Sequence, residues 1–156
     1  MVGHAWYPCF DPDRERWPSS LSKNVITQYL RNQLDYQGLV MTDDLDMGAI
    51  LNEVTFEETI VHAINAGNDL AMICHRIDMV EEAVGYIATL DEPVIIRALE
   101  NIGNAKSKMK PPTPFSLEAH VEVDEEIWDL RVAVLGEEKA KILSVEDGKR
   151  SPVELY

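Results

Sequence analysis

Apolar and polar positions alternate along the first two-thirds of the chain in two rhythms, short apolar runs separated by stretches with helical spacing. That pattern predicts β/α units with a parallel sheet. Met1–Trp6 reads as the remnant of a strand, and 9–20, with Pro12, Pro18 and several charges, as a loop. Ser22 is placed to cap a helix running through Leu34, with Val25, Ile26, Tyr29, Leu30 and Leu34 on one side. Gly38–Thr42 is a second strand, and 43–50 a loop passing into a helix over Phe56–Ala66 that Gly67 stops. Leu70–Cys74 is a third strand. A helix over Met79–Leu90 puts Met79, Val80, Ala83, Val84, Ile87 and Leu90 on one face, and Pro93 opens another running to Met109.

Lys110-Pro-Pro-Thr-Pro114 breaks the pattern, because three prolines in four positions cannot continue a helix. The expected division is therefore a β/α unit over 1–109, a proline-rich linker over 110–116 and a helical extension over 117–156. Within the extension, Leu117–Leu135 has helical spacing at Val123, Ile127, Leu130 and Val134, whereas 136–156 is polar and carries no clear signal.

The 156 residues carry 14 Lys+Arg against 28 Asp+Glu, a formal net charge of −14. This balance argues against nucleic acid and against anionic membrane surfaces as partners, since both are bound by basic residues. No apolar run approaches the ~20 residues of a membrane span. Cys9 and Cys74 stand far apart with no His/Cys cluster, so neither a disulfide framework nor a zinc site is expected. Free thiols and the lack of a basic-then-apolar start lead to the expectation of a cytoplasmic protein.

In parallel β/α architectures, functional groups collect where the carboxyl ends of strands converge. Here those ends hold His4, then Asp43 and Asp44, then Cys74 and His75. A carboxylate directly after an apolar strand suits a nucleophile or a stabiliser of a developing cation. The same Asp pair can instead cap the following helix. A metal loop is the third reading, but Asp43-Asp44-Leu45-Asp46 lacks the Gly and distal Glu of an EF-hand, so no metal and no cofactor are expected. His4 and His75 each read equally as hydrogen-bonded structural residues or as proton shuttles, while His62 and His120 fall on helix surfaces.

The run Tyr36-Gln-Gly-Leu-Val-Met-Thr-Asp-Asp-Leu-Asp-Met-Gly-Ala49 resembles the signature G-(F/Y)-x-G-(V/L)-(V/I)-x-(S/T)-D-D-L-x-M of glycoside hydrolase family 3, in its β-N-acetylhexosaminidase branch. Asp35 stands where that signature begins with Gly. Flanking segments resemble the family in order: Met1-Val-Gly-His4, Asp11-Pro12 with Pro18-Ser-Ser-Leu-Ser22, Leu30-Arg31, and Ala63-Ile-Asn-Ala-Gly-Asn-Asp-Leu-Ala-Met-Ile-Cys74. The likeness covers residues 1 to about 107.

The resemblance implies a (β/α)8 TIM-type barrel of which this chain carries the last three β/α units. It also implies a retaining hydrolase with Asp43 as nucleophile, and His4, Asp44 and Met47 as the substrate-binding surroundings. The implied ligand is a β-linked amino-sugar saccharide. The branch's acid/base His follows a K-H-F-P-G-x-G motif upstream of M-x-x-H, and this sequence contains no such motif. A chain inactive or weakly active alone is therefore expected, since acid–base catalysis contributes roughly 10²–10⁴-fold. A barrel typically needs ~250 residues. The expectation is either a truncated hydrolase, which the coincidence of Met1 with an internal Met of the pattern favours, or a chain whose barrel another chain completes. A non-catalytic carbohydrate-binding or assembly module derived from the barrel is the alternative function.

Overall fold

The computed structural model describes residues 1–142. These fall into two compact units, one over Met1–Met109 and one beginning at Lys110. The first is an α/β unit around two parallel strands, β1 (Met41–Asp44) and β2 (Leu70–Met72). Val2 adds a parallel bridge to Thr42 on the other side of β1, donating its N–H to the Met41 carbonyl at 2.8 Å. The first segment thus contributes a single bridge rather than the strand expected over Met1–Trp6.

Two strand boundaries differ from expectation for a shared reason. Side chains replace the ladder at its ends. The Val40 N–H donates to Asp69 Oδ2 (2.8 Å), so regular pairing begins at Met41 and not at Gly38. The Cys74 N–H donates to Asp44 Oδ1 (3.0 Å), so β2 stops at Met72 and not at Cys74. Asp43 and Asp44 accordingly belong to the end of β1 itself. The register shifts between the pairs Met41–Leu70 and Asp44–Met72, and the Thr42 hydroxyl accepts the Met72 N–H at 3.0 Å. Such irregularities re-aim side chains at a strand end.

The helix expected over 22–34 forms over Asn24–Gln33, but wound wide, with π-type hydrogen bonds. The Ser22 Oγ accepts the Val25 N–H ahead of it (3.1 Å), and Asp35 beyond it takes a left-handed φ of 51°. Asp tolerates that region better than most residues, which lets it stand at a position where the family signature has Gly.

Helix α1 (Gly48–Leu51) is one turn, and α2 (Phe56–Ala66) crosses from β1 to β2. Thr55 and Glu58 close a reciprocal capping box at the start of α2. Gly67 ends it at φ 115°, where a Cβ would come within 2.8 Å of Thr27 Oγ1. Helix α3 (Val80–Ile87) follows a 3-10 turn at Ile77–Met79, and α4 (Glu92–Ser107) has Pro at its first turn. Of the apolar face expected over 79–90, only Ala83 is buried.

Leu21, Leu45, Ile50, Ile60, Ala63 and Ala83 form the main core, flanked by Trp17, Phe56, Tyr86 and Ile87. Ile26, Val40 and Ala66 form a smaller one. The second unit holds α5 (Leu117–Leu135) and the short α6 (Glu137–Ala140). Val123, Ile127, Leu130 and Val134 are all exposed there. The part of the expected extension over 143–156 lies outside the described residues. No helix among the described residues is long and apolar enough to cross a membrane.

Candidate active site

Two polar clusters occupy opposite ends of the strand pair. At the amino ends, buried Asp69 binds the Val40 N–H and Arg31 Nη2 through Oδ2 (both 2.8 Å) and Asn101 Nδ2 through Oδ1 (2.9 Å). Arg31 also donates to the Gly67 carbonyl from Nε (3.0 Å) and Nη2 (2.8 Å). This network ties the wide helix, both strands and α4 together, so Arg31 and Asp69 of the quoted motifs are architectural. Sequence reasoning placed them in motifs without assigning them this task.

At the carboxyl ends, Asp43, Asp44, Asp46 and the segment 74–76 meet. Asp43 is half-buried, and its backbone N–H is fixed by the Val2 carbonyl at 2.9 Å. Its Oδ1 accepts the Asp44 N–H at 2.9 Å. Asp44 is nearly enclosed, and Oδ1 accepts the N–H groups of Cys74 (3.0 Å) and Asp46 (3.3 Å) while Oδ2 meets His75 Nδ1 at 2.7 Å. Asp46 is fully buried, and its Oδ2 accepts the N–H groups of His75 (3.1 Å) and Arg76 (2.8 Å). Two carboxylates therefore clamp the turn after β2 onto the end of β1.

Neither Asp43 nor Asp44 caps the following helix. The residue at the N-cap of α1 is Met47, in extended conformation and without a side-chain cap. Met47 is half-buried and its carbonyl accepts from Ile50 (3.0 Å) and Leu51 (3.2 Å), which anchors the turn leaving the site.

His4 is brought to the same end. Its Nε2 lies 2.8 Å from the Asp44 carbonyl oxygen and Nδ1 2.8 Å from Ser20 Oγ. A carbonyl only accepts, so in the neutral ring Nε2 carries the proton and Nδ1 accepts from the Ser20 hydroxyl. Both nitrogens are engaged, and His4 joins the Pro18–Ser22 loop to the backbone beside Asp43. Sequence reasoning also missed Asp46, whose acidity within Asp43-Asp44-Leu45-Asp46 was weighed only against an EF-hand pattern.

Charge tunes the cluster. Burial pushes the Asp46 carboxyl upward, but the Arg76 and His75 N–H hydrogen bonds, together with the neighbouring Asp44 and His75 side chains, hold its pKa below the ordinary carboxylate value. Desolvation, followed by the negative charges of Asp44 and Asp46, pushes the exposed Cys74 thiol upward. That thiol is therefore a poor nucleophile near neutrality. A separate cavity lined by Asp11, Arg14, Trp17, Lys23, Asn24, His62, Asn65 and Ala66 does not include Asp43. What the Asp43 end offers chemically is one carboxylate left open beside two that are engaged in holding the backbone.

A model of the family described as glycosyl hydrolase family 3 N terminal domain matches residues 1–103. A beta-hexosaminidase of Nitrosomonas eutropha is 26% identical over 133 residues, which are 85% of this chain and 37% of that protein. Beta-hexosaminidase A of Pseudoalteromonas piscicida is 33% identical over 81 residues, 47% of this chain and 14% of that one. Among solved structures, a glycoside hydrolase family 3 beta-N-acetylglucosaminidase from Paenibacillus sp. str. FPU-7 superposes with a TM-score of 0.63 and 29% identity, over 74% of this chain and 24% of that one. A fungal multi-domain GH3 beta-N-acetylglucosaminidase superposes with a TM-score of 0.68 and 27% identity, over 83% and 17%. The chain thus spans well under half the length of these relatives, and its fold is related to a TIM barrel.

Proposed function

The chain belongs to glycosyl hydrolase family 3, and from that premise we propose that Asp43 is the nucleophile of a retaining β-N-acetylhexosaminidase-type reaction. Its two strands and the Val2 bridge stand in this reading for the last three units of the barrel. The observation that carries it is the difference between neighbouring carboxylates. Asp44 and Asp46 are occupied by backbone N–H groups of 74–76, whereas among the described residues Asp43 makes one side-chain hydrogen bond, to the N–H that follows it.

In a retaining mechanism a carboxylate attacks the anomeric carbon, the glycosidic bond breaks, and a second group first donates and later removes a proton. Asp43 would form the glycosyl ester. Its own backbone N–H bond to the Val2 carbonyl and the contact to the Asp44 N–H orient the carboxylate without enclosing it. Asp44, His4 and Met47 shape the surroundings, Asp44 and His4 by holding the strand end and Met47 by fixing the exit of the chain toward α1. The substrate class is a β-linked N-acetylated amino sugar, the chemistry named for the two solved relatives. The sequence contains no K-H-F-P-G-like stretch. The proton donor is then supplied from outside these residues, and the chain alone is inactive or weak on natural glycosides.

A substrate whose leaving group needs no protonation isolates the nucleophile. With a 2,4-dinitrophenyl N-acetyl-β-glucosaminide, the chain is expected to release dinitrophenolate above the solvent rate, and Asp43→Asn to lower that release by at least about a thousandfold. Sugar binding that is unchanged in Asp43→Asn, with no release by the unaltered chain, would support a binding module instead.

A further inference from the structure

The carboxyl-end cluster contains a buried polar atom with no hydrogen-bond partner among the described residues. Asp46 Oδ1 is buried and makes no hydrogen bond among the described residues, although Oδ2 of the same carboxylate takes two backbone N–H groups. A buried carboxylate oxygen left unpaired is costly, and each such case calls for a reason. It faces His75 Nδ1 at 3.5 Å, and the same nitrogen lies 2.7 Å from Asp44 Oδ2. One ligand atom from each of Asp44, Asp46 and His75 lies within 4.8 Å of the others.

We infer that Asp44, Asp46 and His75 form a binding site for a divalent transition-metal ion of the zinc class. Zinc bound by imidazole nitrogen and carboxylate oxygen takes bonds near 2.0–2.2 Å, which in a tetrahedral set puts ligand atoms about 3.3 Å apart. The 3.5 Å separation of His75 and Asp46 already fits. The 2.7 Å contact to Asp44 needs to open by roughly half an ångström as the ion replaces the shared proton, a shift within side-chain reach.

The donor set separates this ion from harder ones. Calcium and magnesium prefer all-oxygen shells of six or more ligands, whereas one imidazole with two carboxylates suits Zn²⁺, Co²⁺ or Ni²⁺. Three protein ligands leave a fourth position for water, and the His75 side chain, 42% exposed, gives an entry path. The cluster is strongly anionic, with Asp43 beside it in a chain of net charge −14, so a cation is drawn to it. The backbone N–H bonds to Cys74, His75 and Arg76 hold both carboxylates in place before any ion arrives. The sequence pattern did not lead here because an EF-hand draws its ligands from one loop, while His75 lies 29 residues beyond Asp46. Asp46 also occupies the open x of the D-D-L-x-M signature.

Cobalt titration of the full chain tests the site by visible d–d absorption, with Zn²⁺ as competitor. The expected result is one Co²⁺ per chain, displaced by Zn²⁺, with affinity reduced at least about tenfold in His75→Gln and in Asp46→Asn. Cys74→Ser, altering the neighbouring thiol, is expected to bind as the unaltered chain does. His75→Gln changes a partly exposed side chain, so it keeps the test open if Asp46→Asn fails to fold. Absence of a stoichiometric Co²⁺ spectrum in the unaltered chain would overturn the assignment. So would unchanged binding in His75→Gln, or a loss that follows Cys74→Ser instead.

Discussion

Asp44 Oδ2 and His75 Nδ1 meet at 2.7 Å across 31 residues of sequence, one at the end of β1 and the other just beyond β2. With the Cys74 N–H on the other oxygen of Asp44, this contact joins the two strand ends into one unit. A strand end held in this way is a rigid platform, and Asp43 stands on it.

Removing the Asp44 carboxylate leaves the Cys74 N–H and the His75 ring without their acceptor. Asp44→Ala is expected to lower the unfolding free energy by about 1–3 kcal/mol. Urea unfolding of the two proteins, compared at equal slope, measures the difference. The substitution is also expected to loosen the 74–76 segment, read as faster amide exchange there.

The amino-end network gives a larger effect. Arg31 is largely buried against Asp69, whose side chain is wholly buried, and their contact is 2.8 Å. Deleting one partner strands the other charge in a low-dielectric setting. Arg31→Ala is expected to cost about 3–5 kcal/mol, and Asp69→Ala a similar amount. Because Arg31 grips the Gly67 carbonyl through two nitrogens as well, Arg31→Lys should recover only part of the loss. Denaturant unfolding again provides the readout.

His62 supplies a pH dependence. Burial and then the charge of Arg14 hold its pKa below the ordinary 6.5, against a smaller opposing pull from Glu58. The native state thus binds this proton less readily than the unfolded chain. Its contribution to stability is complete above the unfolded value and is lost as pH falls through 6.5 toward the lower native value. Thermal unfolding at a series of pH values below 7 should show a shallower acid decline in His62→Gln than in the unaltered chain.

These residues also show how far the sequence could be read. Helix α2 was legible because its apolar spacing and its stop at Gly67 are local, and the structure adds the Thr55–Glu58 capping box that starts it. The place of Asp43 at a strand end was legible for the same reason, a carboxylate directly after an apolar run inside a recognisable motif. The clamp was not, since the partners of Asp44 and Asp46 are backbone groups about thirty residues away and no periodicity encodes them. The wide winding of 24–33 was hidden because Val25, Ile26, Tyr29 and Leu30 fit an ordinary helix equally well. Spacing in α5 defined a helix correctly but could not say what covers it, and Ile127 and Leu130 are exposed. Asp69 was visible as a motif residue, yet only the folded chain separates its architectural role from the carboxylate cluster at the other strand end.

The measurement that tests the nucleophile assignment most directly is peptide mapping of a trapped intermediate. The chain is incubated with an activated N-acetylglucosaminyl donor whose glycosyl ester turns over slowly, quenched in acid and digested. The account predicts one sugar adduct per chain on the peptide containing Asp43, absent in Asp43→Asn and still present in His75→Gln. An adduct on another carboxylate, or one that survives Asp43→Asn, would contradict it.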